Sequence, residues 1–198
     1  MARPPQPEKR LELARHAIEV MQREGVDVPM KRLAEALGVK RPTLLYHFPS
    51  RGHIVETALE DLLTEQAVFV LARIAEHEHP VRRLDAQMRA VHAFHDGREA
   101  RLVFLMQALA ACGRERMAAI IDVGNRVFEP HRRAAVAALR AGVEAGTVAP
   151  HDPEALMALL RATIDGLVVQ RTMTGLALGP VQDLFFERVL EPLILETE

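Results

Sequence analysis

The stretch MKRLAEALGVKRPTLLYHF, Met30 to Phe48, decides how this chain is read. Leu33, Ala34 and Leu37 form a short apolar patch that stops at Gly38. Two short helices that cross steeply need a small residue where they touch, and Ala34 supplies it. Gly38 follows four residues later, where a left-handed conformation ends the first helix and tightens the turn. Val39 and Leu44 are spaced to plug a small shared core. Pro42 predicts an extended Arg41 and a second helix starting at the proline, over residues 42–47. The pattern reads as a helix-turn-helix whose second helix would enter the major groove. Lys40, Arg41 and Thr43 would then meet base edges and phosphates, and Pro42 could touch a thymine methyl. The plain alternative is an ordinary helix pair joined by a glycine turn.

Outward from this stretch the chain is helical throughout. Residues 7–24 carry Leu11, Ala14, Ala17, Ile18 and Met21 at three- and four-residue spacing, one amphipathic stripe closed by Gly25. After Ser50 the spacing predicts helices over 51–77, 81–95, 98–112, 114–145 (bent at Pro130), 154–174 and 180–195. Asp152 is placed to cap the fifth of these ahead of Pro153. No alternating β-branched stretch asks to be a strand, and no internal repeat is present. The fold class is all-α: an unfixed arm over 1–7, a DNA-binding unit over 8–50 and a larger helical domain over 51–198.

Composition narrows the function. Hydrophobic residues make up 49% of 198 residues, too many for a disordered chain and enough for a real core. The net charge of −2 hides an asymmetry, with ten Lys/Arg against six Asp/Glu through residue 52 and fifteen against twenty-one after it. A basic front on an acidic body suggests that only the front meets a polyanion. No apolar run is long enough to cross a membrane, and the Pro-rich start lacks the apolar segment of a secretory signal, so a cytoplasmic protein is expected. Cys112 is the only cysteine. It lies among Ala and Leu, where a thiol is usually an inert small hydrophobe. No nucleophile elbow, phosphate loop or dinucleotide fingerprint appears, so no enzyme and no cofactor is expected.

Residues 10–60 resemble the N-terminal domain of TetR-family repressors. Ala17, Gly25, Leu33-Ala34, Gly38-Val39, Thr43, His47-Phe48 and the basic Arg51 carry the likeness, which fades to general architecture beyond them. The resemblance implies a transcription regulator, by family default a repressor, that binds operator DNA as a homodimer. A small apolar or amphipathic effector would release it. Arg51, opening a long helix, would bind a phosphate. Two departures matter. Where the family places a Thr before the second helix, Pro29-Met30 stand here, leaving Asp27 or nothing as a cap. The family's phosphate-binding tyrosine corresponds to Leu45, whereas Tyr46 lies one position on, about 100° around the helix. Tyr46 either takes over that contact or packs.

The resemblance also places a ligand pocket and a dimer surface in the larger domain. Met88, His92, Phe104, Gln107, Met117, Ile121 and Phe128 are the candidate ligand residues. Met and Phe suit an adaptable apolar pocket, and His92 or Gln107 could orient a ligand. Each could equally be ordinary core. In the last two helices, Leu156, Leu160, Thr163 and Leu167 with Phe185 and Val189 are the candidate dimer face, where Gly166 would allow close helix contact. Nine histidines raise a metal-responsive alternative, since His92 and His95 stand three apart on one helix. No HExxH-type pair accompanies them, so no metal site is assigned. A helical adaptor without specific DNA binding is the remaining alternative, which Lys40, Arg41 and Arg51 argue against.

Overall fold

The computed structural model describes residues 7–111 and 114–195. Nine α-helices follow one another among them: α1 Pro7–Glu24, α2 Met30–Ala36, α3 Arg41–His47, α4 Arg51–Ile74, α5 Pro80–His95, α6 Glu99–Ala110, α7 Arg114–Glu144, α8 Pro153–Thr174 and α9 Gly179–Phe185. A π-helical turn, Phe186–Leu190, and a 3-10 turn, Glu191–Leu193, extend α9. The all-α expectation holds, with one isolated bridge, Val148 to Ile194, among the described residues. The chain divides into two compact units. One holds the chain up to Thr64 together with Val103–Gly124, the other Glu65–Leu102 together with Asn125–Glu198.

In the first unit, Ala14, Ala17, Ile18 and Met21 of α1, Leu33 and Ala34 of α2, Leu44 of α3 and Ile54 and Ala58 of α4 are all buried. The larger of these side chains contribute about 1.5–3 kcal/mol each when taken fully out of water. Polar clips fix the helix pairs. Arg15 on α1 grips both oxygens of Asp61 on α4 at 2.6 and 2.8 Å. Arg32 on α2 does the same to Glu24 on α1 at 2.9 and 2.7 Å.

The second unit is built on α5. Val81, Leu84 and Met88 pack with Val136 and Leu139 of α7, Leu156, Leu160 and Ile164 of α8, and Phe185 and Leu190 at the C-terminal end. Helix ends follow their local chemistry. Asp152 accepts the Ala155 N–H at 3.0 Å as N-cap of α8, and Gly175 closes that helix in the left-handed region at φ 69°. His79 caps α5, its Nδ1 accepting from the Val81 N–H at 3.2 Å while its Nε2 donates to the Thr147 carbonyl at 3.1 Å.

The last expected helix ends differently. The final helix does not run from 180 to 195: it widens into the π-turn, then tightens at Pro192, which has no N–H to give to a regular turn. The chain beyond Pro192 then pairs with residues 147–149, Ala149 N–H to Leu193 O at 2.9 Å and Leu195 N–H to Thr147 O at 3.0 Å. The helix expected over 114–145 is found as α7, Arg114–Glu144, continuous through Pro130.

Candidate nucleic-acid interface

The turn between α2 and α3 is closed by two backbone bonds. The Gly38 N–H reaches Glu35 O at 3.1 Å and the Val39 N–H reaches Ala34 O at 3.0 Å, with Gly38 at φ 66°. This is the Schellman arrangement, in which a glycine lets the last carbonyls of a helix find donors. Lys40 then takes an extended conformation as N-cap, and α3 opens at Arg41. The helix thus starts one residue before the expected proline, and Arg41 is helical rather than extended. Pro42 still costs no hydrogen bond there, because the first N–H groups of a helix have no partner within it. Leu44 and Phe48, both fully buried, seat α3 on the unit's core.

What remains on α3 faces solvent. Lys40, Arg41, Pro42 and Thr43 are exposed, and Tyr46 is 49% exposed. His47 is half-buried, its ring 5.4 Å edge-on from that of Tyr46. The His47 Nδ1 is enclosed without a hydrogen-bond partner. The outer face therefore presents two cations, a hydroxyl, a pyrrolidine and a phenol on a rigid seven-residue helix. Those groups suit phosphate positioning and base-edge contact.

Neighbouring loops hold this face from behind. α2 begins at Met30 with Pro29 as N-cap and no side-chain cap, so of the two possibilities Asp27 does not serve. Asp27 instead lies 3.3 Å from the Arg51 guanidinium, which also donates to the Val26 carbonyl at 3.2 Å. Arg51 thus ties to the loop between α1 and α2 through its Nη1.

The candidate ligand residues fall in both units. Met88 is fully buried in the core of the second unit. His92, buried as well, spends both ring nitrogens internally, Nε2 donating to Ile164 O at 3.2 Å and Nδ1 accepting from Gln182 Nε2 at 2.7 Å. Both ring nitrogens are thus bonded within the protomer. Phe128 lies half-buried under the Arg161 guanidinium, 5.7 Å from the ring centre. In the first unit, Phe104 is half-buried and Gln107 exposed. The side chains of Met117 and Ile121, and all of Cys112, lie outside the described residues. Nor do His92 and His95 form a metal pair, because the His95 Nε2 donates to Gln66 Oε1 at 2.8 Å. Among the described residues no three potential ligands converge.

Four of the six candidate dimer residues lie inside the protomer. Leu156, Leu160, Leu167 and Phe185 are buried within the protomer, Val189 packs against the same core, and Thr163 is half-buried. A side chain enclosed by its own protomer has no surface left for another. The opposite side of α8 is the apolar one that meets solvent: Leu159 and Val169 are each 48% exposed and Met173 is 78% exposed. Ala162 and Gly166 lie exposed between them, and Leu184 on α9 is 56% exposed. The spacing 159, 162, 166, 169, 173 alternates three and four, the seam along which two helices interlock. A Cβ at Gly166 would meet nothing within 4 Å. Sequence reasoning missed this seam, although its period was visible.

Comparison with known proteins agrees with these observations. The family described as "Bacterial regulatory proteins, tetR family" matches residues 13–58. The chain is 30% identical over 158 residues to the tetracycline repressor protein class A from transposon 1721 of Escherichia coli. That match takes in 79% of this chain, which spans 64% of the length of that curated relative. The fold is shared with a putative transcriptional regulator of Saccharomonospora viridis solved with choline, at TM-score 0.73 and 20% identity over 96% of this chain and 100% of that one. It is shared also with the regulator FadR of Bacillus subtilis solved with stearoyl-CoA, at TM-score 0.69 and 17% identity over 94% and 98%. Residues 13–58 thus match the tetR family model, the chain is similar to a tetracycline repressor over 158 residues, and its all-helical fold is that of solved transcriptional regulators.

Proposed function

We propose that this protein is a dimeric, DNA-binding transcription regulator, a repressor released from its operator by a small molecule. The observation that carries the reading is the division of α3: Leu44 and Phe48 are buried, while Lys40, Arg41, Pro42, Thr43 and Tyr46 stand at the surface. Repression follows from the likeness to a tetracycline repressor. Lys40 and Arg41 would position the helix on phosphates, and Thr43 with Pro42 would read bases. Arg51 acts one step back, by holding the loop that supports α2.

The exposed seam of α8 with Leu184 of α9 is the proposed dimer face, repeated about a two-fold axis. Two readers would then address half-sites about 34–36 Å apart. The proposed effector is apolar or amphipathic; stearoyl-CoA in one structural relative is amphipathic, whereas choline in another is a small polar cation. It would release DNA only by binding the non-DNA-binding arrangement of the dimer more tightly. The domain boundary is proposed at the start of α4, after the last residue of the reader. As a regulator the protein would carry out no catalysis and work in the cytoplasm; no helix among the described residues is long and apolar enough to cross a membrane.

The test is a pull-down of fragmented genomic DNA with the purified full chain, followed by anisotropy titration of recovered and shuffled sequences. Preference for an inverted repeat by at least about a thousandfold supports the reading. Equal affinity for recovered and shuffled DNA at every salt concentration would overturn it.

A further inference from the structure

Both helices of the proposed dimer face rest on α5. It packs against α8, α9 and the π-turn, and residues of all of them share one core. α5 thus helps to set the relative placement of α8 and α9, and one of its side chains bonds to both. His92 is 4% exposed and Gln182 8%. The ring's Nε2 lies 3.2 Å from the Ile164 carbonyl of α8, and its Nδ1 lies 2.7 Å from the Gln182 amide nitrogen of α9. A carbonyl only accepts, so Nε2 carries the proton, and Nδ1 of the neutral ring then accepts from the amide. The neutral ring satisfies both helices at once. A doubly protonated ring would turn a second N–H onto a donor, in a site where a charge is costly.

The charged groups around the ring come from every element packed there. On α5, His95 follows three residues on, bonded to Gln66 of α4. Arg98 precedes α6 and Glu99 opens it. From α8 come Asp165 and Arg171, the latter bonding Asp96 and lying 2.8 Å from Glu99. From α9 comes Asp183, paired with Arg89 at 2.9 Å. Burial is the largest influence on His92 and holds its pKa below the ordinary value. The bond to Ile164 opposes that, Arg171 adds to it, and Asp165 opposes it.

We propose that His92 and Gln182 form an acid-sensitive tie, whose neutral form registers α8 against α9 and so shapes the dimer face, and whose protonation loosens it. This rests on the dimer reading above. The sign follows from linkage. Above the ordinary histidine pKa of 6.5 the ring is neutral whether tied or released, and nothing is lost. Below 6.5 the released ring takes up a proton that the tied ring refuses, so acid favours release.

The experiment measures the dimer dissociation constant of the full chain by sedimentation at pH 7.5 and 5.5, with hydrogen exchange of the α8 amides in parallel. Wild type is expected to dimerise roughly three- to tenfold more weakly at pH 5.5, a tenfold change corresponding to one pKa unit. His92→Gln, which can donate to Ile164 without titrating, should lose that dependence. Gln182→Glu, which offers Nδ1–H an acceptor, should flatten or reverse it and serves if His92→Gln does not fold. His95→Gln should keep the wild-type dependence. A wild-type constant that does not change, a Gln182→Glu variant that weakens as wild type does, or loss of the dependence in His95→Gln overturns the tie. Should the chain be monomeric at both pH values, the dimer reading fails separately. Exchange around Ile164 then decides: acid-dependent opening in wild type that Gln182→Glu abolishes supports the tie, and identical opening in both overturns it.

Discussion

Arg15 meets Asp61 through two parallel hydrogen bonds, yet the partners are unequally enclosed: the arginine side chain is 45% exposed and the carboxylate 9%. Breaking the pair from either side should therefore not cost the same. Arg15→Met strands a nearly buried anion and should destabilise the first unit by about 1–3 kcal/mol. Asp61→Asn removes the charge and keeps an acceptor, so its loss should be smaller. Urea unfolding of both variants checks the order, and the reverse order would refute the argument.

On the reader, cations and hydroxyl should separate by their salt dependence. Each phosphate contact contributes about −0.9 to the slope of log affinity against log salt. Lys40→Ala and Arg41→Ala should weaken binding to all sequences and make that slope shallower. Thr43→Val should leave the slope alone and change the ranking of operator variants. Anisotropy titrations from low to moderate salt distinguish the two behaviours.

The two stripes of α8 should respond in opposite ways. Leu160→Ala opens a cavity in the protomer and should cost about 2–5 kcal/mol of stability. Val169→Glu, on a half-exposed position, should leave the melting transition nearly unchanged while sedimentation shows the dimer dissociating. A Val169→Glu protein that remains dimeric would remove the seam from the interface.

Acid should act on the second unit through His95 as well. Burial pushes its pKa down to about 4, against a partial opposing pull from Glu99. The folded ring refuses a proton that the unfolded ring accepts below 6.5. Stability is thus complete above that pH and is lost progressively as pH falls from 6.5 towards 4. His95→Gln should show a shallower fall in melting temperature over the same interval, measured against wild type by thermal denaturation.

Legibility in the sequence followed the uniqueness of the local signal. Gly38 permits the left-handed turn, Pro42 fixes its φ for a first helical turn and Ala34 is small enough for a helix contact, so the helix-turn-helix could be read with an error of one residue, at Arg41. α8 was harder because it carries two apolar stripes. Leu156, Leu160, Ile164 and Leu167 repeat at helical spacing, and so do Leu159, Ala162, Val169 and Met173. Periodicity reports that a face is apolar and is silent on whether it meets its own protomer or another. The end of α9 was missed for a different reason: a π-turn has no compositional mark, and Pro192 acts only once the helix has widened before it. His92 read as a ligand residue because its two partners, Ile164 and Gln182, lie 72 and 90 positions away.

The separation of buried and solvent-facing positions on α3 bears on how such a protein can change over generations. Leu44 and Phe48 secure the helix from within, while Arg41, Thr43 and Tyr46 stand outside. Substitutions at the outer positions can drift or be selected for a new target without drawing down the stability held by the inner pair. A duplicate of this gene could therefore acquire a different address in the genome through two or three exchanges on one turn of helix, keeping its scaffold and its means of pairing.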